Sequence, residues 1–222
     1  MRNGKSEANG LRGVALGFAL ALVWAASAVA APATHLVTFS GHGEFFSREL
    51  HLTPAVDPEV FVEDGQATAG QGPGGVAHVD GFRPARLDDE PEAVVYDSQG
   101  NSLDFSFGRW LAAGGTARIA TIGGGAHVDT AFSHLIAFGE YSLFLAQPSI
   151  EGTTFTPLDG DGSGNTFTAD GDGTGSLGVD APHPLPAHSA IVLIYHSDDT
   201  DHGVSRGEIG SDAHEQLIAR IP

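Results

Sequence analysis

Tyr141-Ser142-Leu143-Phe144-Leu145 and Leu36-Val37-Thr38-Phe39 are the stretches of sequence that decide the fold class. In both, large side chains recur at every second position, the period at which side chains of a β-strand share a face. This alternation predicts strands that bury one face. Similar short runs recur along the chain, flanked by Gly, Pro, Asn or Asp, and the 31 glycines and 12 prolines supply many turns. The sequence therefore predicts an all-β fold, an antiparallel β-sandwich of immunoglobulin-like or Greek-key type.

The same patterns place the individual elements. Two short helices are expected beside the strands. Ser106 can cap a helix over Phe107–Ala113, in which Trp110 and Leu111 would close one end of the sandwich. The second helix is expected at Ser211–Ile218. The expected strands are His35–Ser40, Phe45–Leu52, Val60–Val62, Val76–Val79, Ala93–Asp97, Ala117–Thr121, His127–Ile136, Glu140–Ala146, Asn165–Thr168, Ser176–Val179 and Ala190–His196.

Residues 1–30 have the pattern of an export signal. Arg2, Lys5 and Arg12 precede an apolar run, Gly13–Val29, which ends in Ala-Val-Ala at residues 28–30. We expect cleavage after Ala30, so that residues 31–222 form a single β-sandwich domain in the periplasm or outside the cell. The alternative is an uncleaved membrane anchor, since the run is close to the lower length limit of a spanning helix. No membrane span is expected after cleavage.

The composition limits the partners of this chain. It carries 28 acidic against 10 basic residues, a net charge of −18, and its single lysine is Lys5 in the predicted signal. Such a chain is repelled by nucleic acid and by anionic lipid, so neither is expected as a partner, whereas cations are. Solubility alone is the alternative explanation of the charge. There is no cysteine, which excludes disulfides, thiolate metal sites and a lipoprotein anchor.

One segment has the skeleton of a calcium loop. Residues 159–170 read Asp-Gly-Asp-Gly-Ser-Gly-Asn-Thr-Phe-Thr-Ala-Asp, with oxygen-bearing side chains at loop positions 1, 3, 5, 7 and 12 and glycine at position 6. A second, overlapping frame starts at Asp170. No helix is expected on either flank, and Asp-Gly repeats also form ordinary hairpin turns. The candidate calcium ligands are Asp159, Asp161, Ser163, Asn165, Asp170 and Asp172.

Three histidines near the end of the chain form a second candidate metal site. His196, His202 and His214 are interspersed with acids at positions 198, 199, 201 and 215. Imidazole and carboxylate ligands can bind zinc or copper without thiolates. The spacing matches no short metal motif, so histidines that only form hydrogen bonds in polar loops are the alternative.

The sequence favours a binding or structural role over catalysis. No serine lies in a G-x-S-x-G frame, and no glycine-rich loop has the context of a phosphate site. The leading hypothesis is an exported acidic β-sandwich protein without enzymatic activity, stabilised by calcium, that binds an unidentified extracytoplasmic ligand or surface partner. The alternative is a metalloenzyme with histidine-bound copper or zinc and redox or hydrolytic chemistry.

Overall fold

Antiparallel sheets make up most of the protein in a computed structural model that describes residues 34–222. The predicted export signal at residues 1–30 lies outside them. The described residues belong to one compact unit. The prediction of an all-β, sandwich-like fold with two short helices is confirmed. Within the described residues, neither helix has the length and apolar character needed to span a bilayer.

Short strands dominate the described part of the chain. In sequence order, the strands and helices are β1 (Thr34–Thr38), β2 (Ser40–Gly41), α1 (His42–Glu49), β3 (Val56–Glu63), β4 (Gly70–Gln71), β5 (Ala77–His78), β6 (Phe82–Arg86), β7 (Val94–Tyr96), β8 (Ser102–Ser106), α2 (Phe107–Leu111), β9 (Gly114–Ile122), β10 (Gly125–Ser133), β11 (Glu140–Ser149), β12 (Gly152–Pro157), β13 (Thr166–Thr168), β14 (Gly175–Ala181), β15 (Ala190–His196) and β16 (Ala213–Arg220).

These strands form three main sheets and one short pair. Sheet A has the order β1-β9-β10-β14, and sheet B has the order β12-β11-β15-β16-β2, with β13 also paired to β11. Sheet C has the order β6-β3-β7-β8, while β4 pairs with β5. The pairs within these sheets are antiparallel, as between β9 and β10 or β11 and β15. Sheet B therefore has β15 near its centre, flanked by β11 and β16.

Sheet B is buried on both faces. Its inner face shares one apolar core with sheets A and C, to which Leu143 and Leu193 of sheet B, Val128 of sheet A and Val60 of sheet C belong. On its outer face, Val192 and Ile194 form a second cluster with other buried residues of sheet B. That cluster is covered by Phe45 of α1, Phe155 of β12 and Ile209. As a result, all seven residues of β15 are buried.

The two stretches that predicted strands behave differently. Leu36, Val37, Thr38 and Phe39 alternate between exposed and buried, as expected of a strand with one solvated face. Residues 141–145 are buried without interruption, because β11 lies inside sheet B and both of its faces are covered. The prediction that one face of this second stretch is exposed is wrong.

A helix replaces the strand that was expected at Phe45–Leu52. α1 covers His42–Glu49, and its buried residues include Gly43 and Ser47, four positions apart and so on one helix face. Ser47 Oγ donates to the carbonyl of Val56 and accepts from its N–H, both at 2.8 Å. These contacts with β3 stabilise a helix that the local sequence did not indicate.

A strand replaces the second expected helix, Ser211–Ile218. β16 runs over Ala213–Arg220 and pairs with β15, so backbone pairing and burial outweigh the local helix pattern. The first helix is confirmed as α2, where the N–H of Arg109 donates to Ser106 Oγ at 3.4 Å. Trp110 is buried as expected, but Leu111 is 44% exposed and does not close the core.

Gly43 allows α1 to approach β3 closely. A Cβ atom at position 43 would lie 2.9 Å from Asp57 Cα and 3.0 Å from Asp57 Cβ, whereas one at Gly41 would meet nothing within 4 Å. The contact at position 43 is with backbone, which cannot turn away as a side chain can. The helix must therefore move outward if residue 43 gains a side chain.

We predict that Gly43→Ala lowers the free energy of unfolding by about 1–3 kcal/mol, the usual cost of overpacking. The matched control, Gly41→Ala, should change it by less than about 0.5 kcal/mol. Urea denaturation followed by circular dichroism measures both values. Equal effects of the two substitutions would contradict the close seating of α1 on β3.

Candidate functional site

A cavity of about 670 Å³ lies beside the first turn of α1. Its wall combines sheet B, β3 and the loop that joins β15 to β16. It contains both apolar side chains and several charged ones, the mixture typical of a small-ligand site. The lining residues are His42, Phe46, Pro58, Glu59, Gly74, Gly75, Val76, Ala77, Ser98, Thr153, Phe155, Arg206, Glu208, Ile209 and Glu215.

Three titratable side chains meet at this cavity from three different elements. His42 begins α1, Glu59 lies within β3 and Glu215 lies within β16. His42 Nε2 is 3.1 Å from Glu215 Oε2, and His42 Nδ1 is 3.9 Å from Glu59 Oε1. One ligand atom from each residue lies within 4.8 Å of the other two. All three are buried, with exposed fractions of 7% for His42, 6% for Glu59 and 5% for Glu215.

A bulge in β16 determines the direction of the Glu215 side chain. The pairing of β15 with β16 shifts between Leu193 and Ile194, because Gln216 is an extra residue in β16. Such a bulge changes the face on which neighbouring side chains lie. It leaves Glu215 directed toward α1. Gln216 is directed toward α2, where its Nε2 donates to the carbonyl of Trp110.

Glu59 is held by the strand beside it. The N–H of Glu215 donates to Glu59 Oε2 at 2.6 Å, and His214 donates its Nδ1–H to the Glu59 carbonyl at 2.9 Å. Burial raises the pKa of Glu59 well above its usual range, and the charge of Glu215 raises it further. Two carboxylates this close in a buried site favour a bound cation or proton between them.

Other charges near the cavity already have partners. Arg206 Nη1 donates to Glu215 Oε1, and the Arg206 guanidinium carbon lies 3.4 Å from the centre of the Phe155 ring. Trp110 Nε1 donates to Asp57 Oδ2 at 2.9 Å. Burial raises the pKa of Asp57, against the opposing charge of His42 and this hydrogen bond. The positive charge of Arg206 is thus shared with Glu215 and does not reach Glu59 by a hydrogen bond.

The donor set of the cluster suits a transition-metal ion. Metal bonds of about 2.0–2.2 Å to imidazole nitrogen and carboxylate oxygen place ligand atoms roughly 3–4 Å apart. His42 Nδ1 and Glu59 Oε1 are 3.9 Å apart, within this range, whereas Glu215 Oε2 lies 3.1 Å from the other ring nitrogen, Nε2. Binding of one ion through a single nitrogen therefore requires one of the two carboxylates to turn toward it. In addition, His42 Nδ1 is buried and has no hydrogen-bond partner among the described residues. That nitrogen is therefore available to a ligand.

The three histidines predicted as a metal site do not meet. His214 points into the interior, where its Nε2 lies 3.2 Å from Ser197 Oγ and its Nδ1 is bonded to Glu59. His196 and His202 do come together, with ring centres 5.0 Å apart, and the third member of their group is Asp198. Burial lowers the pKa of His196 to about 4, and the neighbouring His202 lowers it as well.

In the predicted calcium loop, the carboxylates bind backbone N–H groups. Asp159 accepts from the N–H groups of Gly162 and Gly164, at 2.8 and 2.6 Å. Asp170 accepts from the N–H groups of residues 172 and 174 and from the Thr174 hydroxyl. These hydrogen bonds are typical of turns, and they lower the pKa of Asp170. Asp172 itself is exposed.

Two other loop residues complete this region. Asp161 Oδ1 accepts from the Ser163 hydroxyl at 2.7 Å. Asn165 is fully buried, and its Nδ2 donates to the carbonyl of Leu143 at 3.1 Å. Among the described residues, the converging groups of three or more His, Asp or Glu ligands do not include this loop. Calcium binding here stays a prediction.

The sequence did not single out His42, Glu59 or Glu215 as a site. Glu59 gave a usable signal, since a charged residue directly before the apolar run Val60–Val62 is unusual in a buried strand. The sequence placed Glu215 in an expected helix and His42 next to a segment expected as a strand. Neither expectation indicated that the two side chains meet. Comparisons with protein families, with curated proteins and with solved structures found no match to this chain.

Proposed function

We propose that this protein is an exported metal-binding protein in which His42, Glu59 and Glu215 bind a divalent transition-metal ion at the wall of the cavity. The observation that carries the proposal is the buried convergence of one imidazole and two carboxylates, with a ring nitrogen of His42 left without a partner among the described residues. A buried polar atom without a hydrogen bond costs about 1–3 kcal/mol, so such atoms usually have a partner, and in this proposal the metal ion is the partner of the His42 nitrogen.

The donors favour zinc or a similar ion over calcium. An imidazole nitrogen is a common ligand for zinc, iron, copper and nickel, whereas calcium and magnesium take oxygen donors. Two carboxylates and one imidazole occupy three positions, and zinc takes at least four ligands. The remaining position would face the cavity, where water or a small anionic or carbonyl-bearing ligand can enter. This arrangement supports a binding role and is also the minimum that a hydrolytic metal site needs.

Charge balance supports the same ion. Glu59 and Glu215 together carry two negative charges, and Arg206 offers one positive charge to Glu215. A divalent cation beside a neutral His42 would offset the negative charge that Arg206 leaves on Glu59, and its surplus positive charge would favour an anionic ligand at the open position. Repulsion between the two carboxylates, which adds to the effect of burial in raising the pKa of Glu59, would then become attraction to a shared cation.

We predict that zinc chloride, titrated calorimetrically into the untagged protein after chelation and dialysis, shows a binding event that Glu59→Gln removes. We expect a loss of affinity of about 100-fold or more, because even hydrogen-bond partners of metal ligands are worth 10–100-fold. Gln at position 59 can still accept from the N–H of Glu215, so the variant should stay folded, which circular dichroism checks.

The matched control lies on the same strand. Glu63 ends β3 and is exposed, so Glu63→Gln should leave the zinc affinity unchanged. At a zinc concentration 100 times the Kd of this site, the rise in the free energy of unfolding should be about 2.7 kcal/mol larger in the wild type and the control than in Glu59→Gln. Identical titrations of Glu59→Gln and the wild type would mean that the cluster is a buried ion-pair network without a metal.

The Asp159–Asp172 loop supports a separate calcium proposal, in which the ion stabilises a hairpin. We predict that millimolar calcium, the range of extracellular modules, raises the Tm of the wild type and of the surface control Asp88→Asn. The double variant Asp159→Asn/Asp161→Asn should not respond, because it removes the charges at loop positions 1 and 3. An unchanged wild-type Tm in differential scanning fluorimetry would refute calcium binding.

Export is the remaining part of the proposal. We predict that the full-length protein, expressed in a secreting bacterial host, is recovered outside the cytoplasm with Ala31 as its first residue. Ala28→Leu/Ala30→Leu should block this processing, since the cleavage site needs small residues. Intact-mass spectrometry distinguishes the two forms, and wild-type protein that retains residues 1–30 would contradict the predicted cleavage.

A further inference from the structure

A second group of possible metal ligands lies where β15 ends and the chain enters the loop to β16. His196 is the last residue of β15, and Asp198 and His202 follow in the loop. His202 Nε2 is 3.3 Å from Asp198, and one ligand atom from each of the three residues lies within 4.8 Å of the other two. None of these residues belongs to the His42 cluster.

His196 has one nitrogen in use and one without a partner. The residue is fully buried, and its Nε2 lies 2.7 Å from Ser142 Oγ on the adjacent strand β11. Its Nδ1 is buried and has no hydrogen-bond partner among the described residues. When Nε2–H donates to Ser142, Nδ1 carries the lone pair. Metal-binding histidines commonly have this arrangement, in which a hydrogen bond at one nitrogen orients the ring and the other nitrogen ligates.

The other two donors complete a set that suits a transition metal. Asp198 and His202 are partly open to solvent, with side-chain exposures of 38% and 19%. Two imidazoles and one carboxylate are ligands for zinc, iron or copper, and they leave positions for water or another ligand. We propose that His196, Asp198 and His202 bind a second divalent transition-metal ion, independently of the ion at His42, Glu59 and Glu215.

Binding at this position would affect the cavity. The loop that carries Asp198 and His202 also carries Arg206, Glu208 and Ile209, which line the cavity. A metal bond from the end of β15 to His202 would fix the first part of that loop to sheet B. The second ion would thus hold one wall of the cavity in place.

Zinc titration of the untagged protein tests this proposal through the variant His202→Ala in the background His42→Ala. We expect the His42→Ala protein to bind one zinc ion through the second site, and His42→Ala/His202→Ala to bind none or at least 10-fold more weakly. Circular dichroism confirms folding. The adjacent exposed residue gives the control, since His42→Ala/Asp199→Asn should bind zinc as His42→Ala does.

Nitrogen NMR identifies the ligating atom. On addition of zinc to the wild type, the Nδ1 resonance of His196 and a ring-nitrogen resonance of His202 should shift, while Nε2 of His196 should keep its hydrogen bond to Ser142. Failure of zinc to bind His42→Ala, or equal binding by the His202→Ala double variant, would overturn the second site. Neither result affects the Glu59→Gln test, so the two proposals fail separately.

Discussion

Burial of both faces of sheet B is the constraint on which the rest of the structure depends. Every residue of β15 is buried, so the outer face of the sheet needs a cover as well as the inner one. α1 supplies much of it through Phe45, with Gly43 bringing the helix close to β3 and Ser47 bonding to Val56. The same placement puts the first residue of the helix between the carboxylates of β3 and β16. The candidate metal site is therefore a direct consequence of how the sheet is covered.

Both candidate sites lie along this outer side of sheet B. Ile194 belongs to the outer cluster, and His196, two positions further, lies on the same face. Glu215 pairs directly with Ile194 in the adjacent strand. Burial of polar residues at the border of an apolar cluster costs free energy unless those residues have hydrogen-bond partners or bind an ion. Within the described residues, the unpartnered nitrogens of His42 and His196 are places where the protein itself does not meet this requirement.

Local sequence predicted some of these features and missed others for identifiable reasons. Period-two alternation and glycine-rich turns were sufficient for the all-β class, and Ser106 was sufficient for α2. α1 and β16 were misassigned because contacts distant in sequence determine both: Ser47 with Val56, and the pairing of β16 with β15. For the same reason the sequence did not separate His214, which is bonded to the Glu59 carbonyl, from His196 and His202, whose rings come together. Convergence of residues 42, 59 and 215 depends on three elements and on a bulge, which no short motif records.

Anomalous X-ray diffraction at the zinc edge, from crystals grown with equimolar zinc, tests metal binding by the His42 cluster most directly. We expect a peak at about 2.0–2.2 Å from a ring nitrogen of His42 and from a carboxylate oxygen of each of Glu59 and Glu215. Arg206 should keep its contact with Glu215. An absence of zinc at this position, with His42 hydrogen-bonded to both carboxylates instead, would contradict metal binding and leave the cluster as a structural ion-pair network.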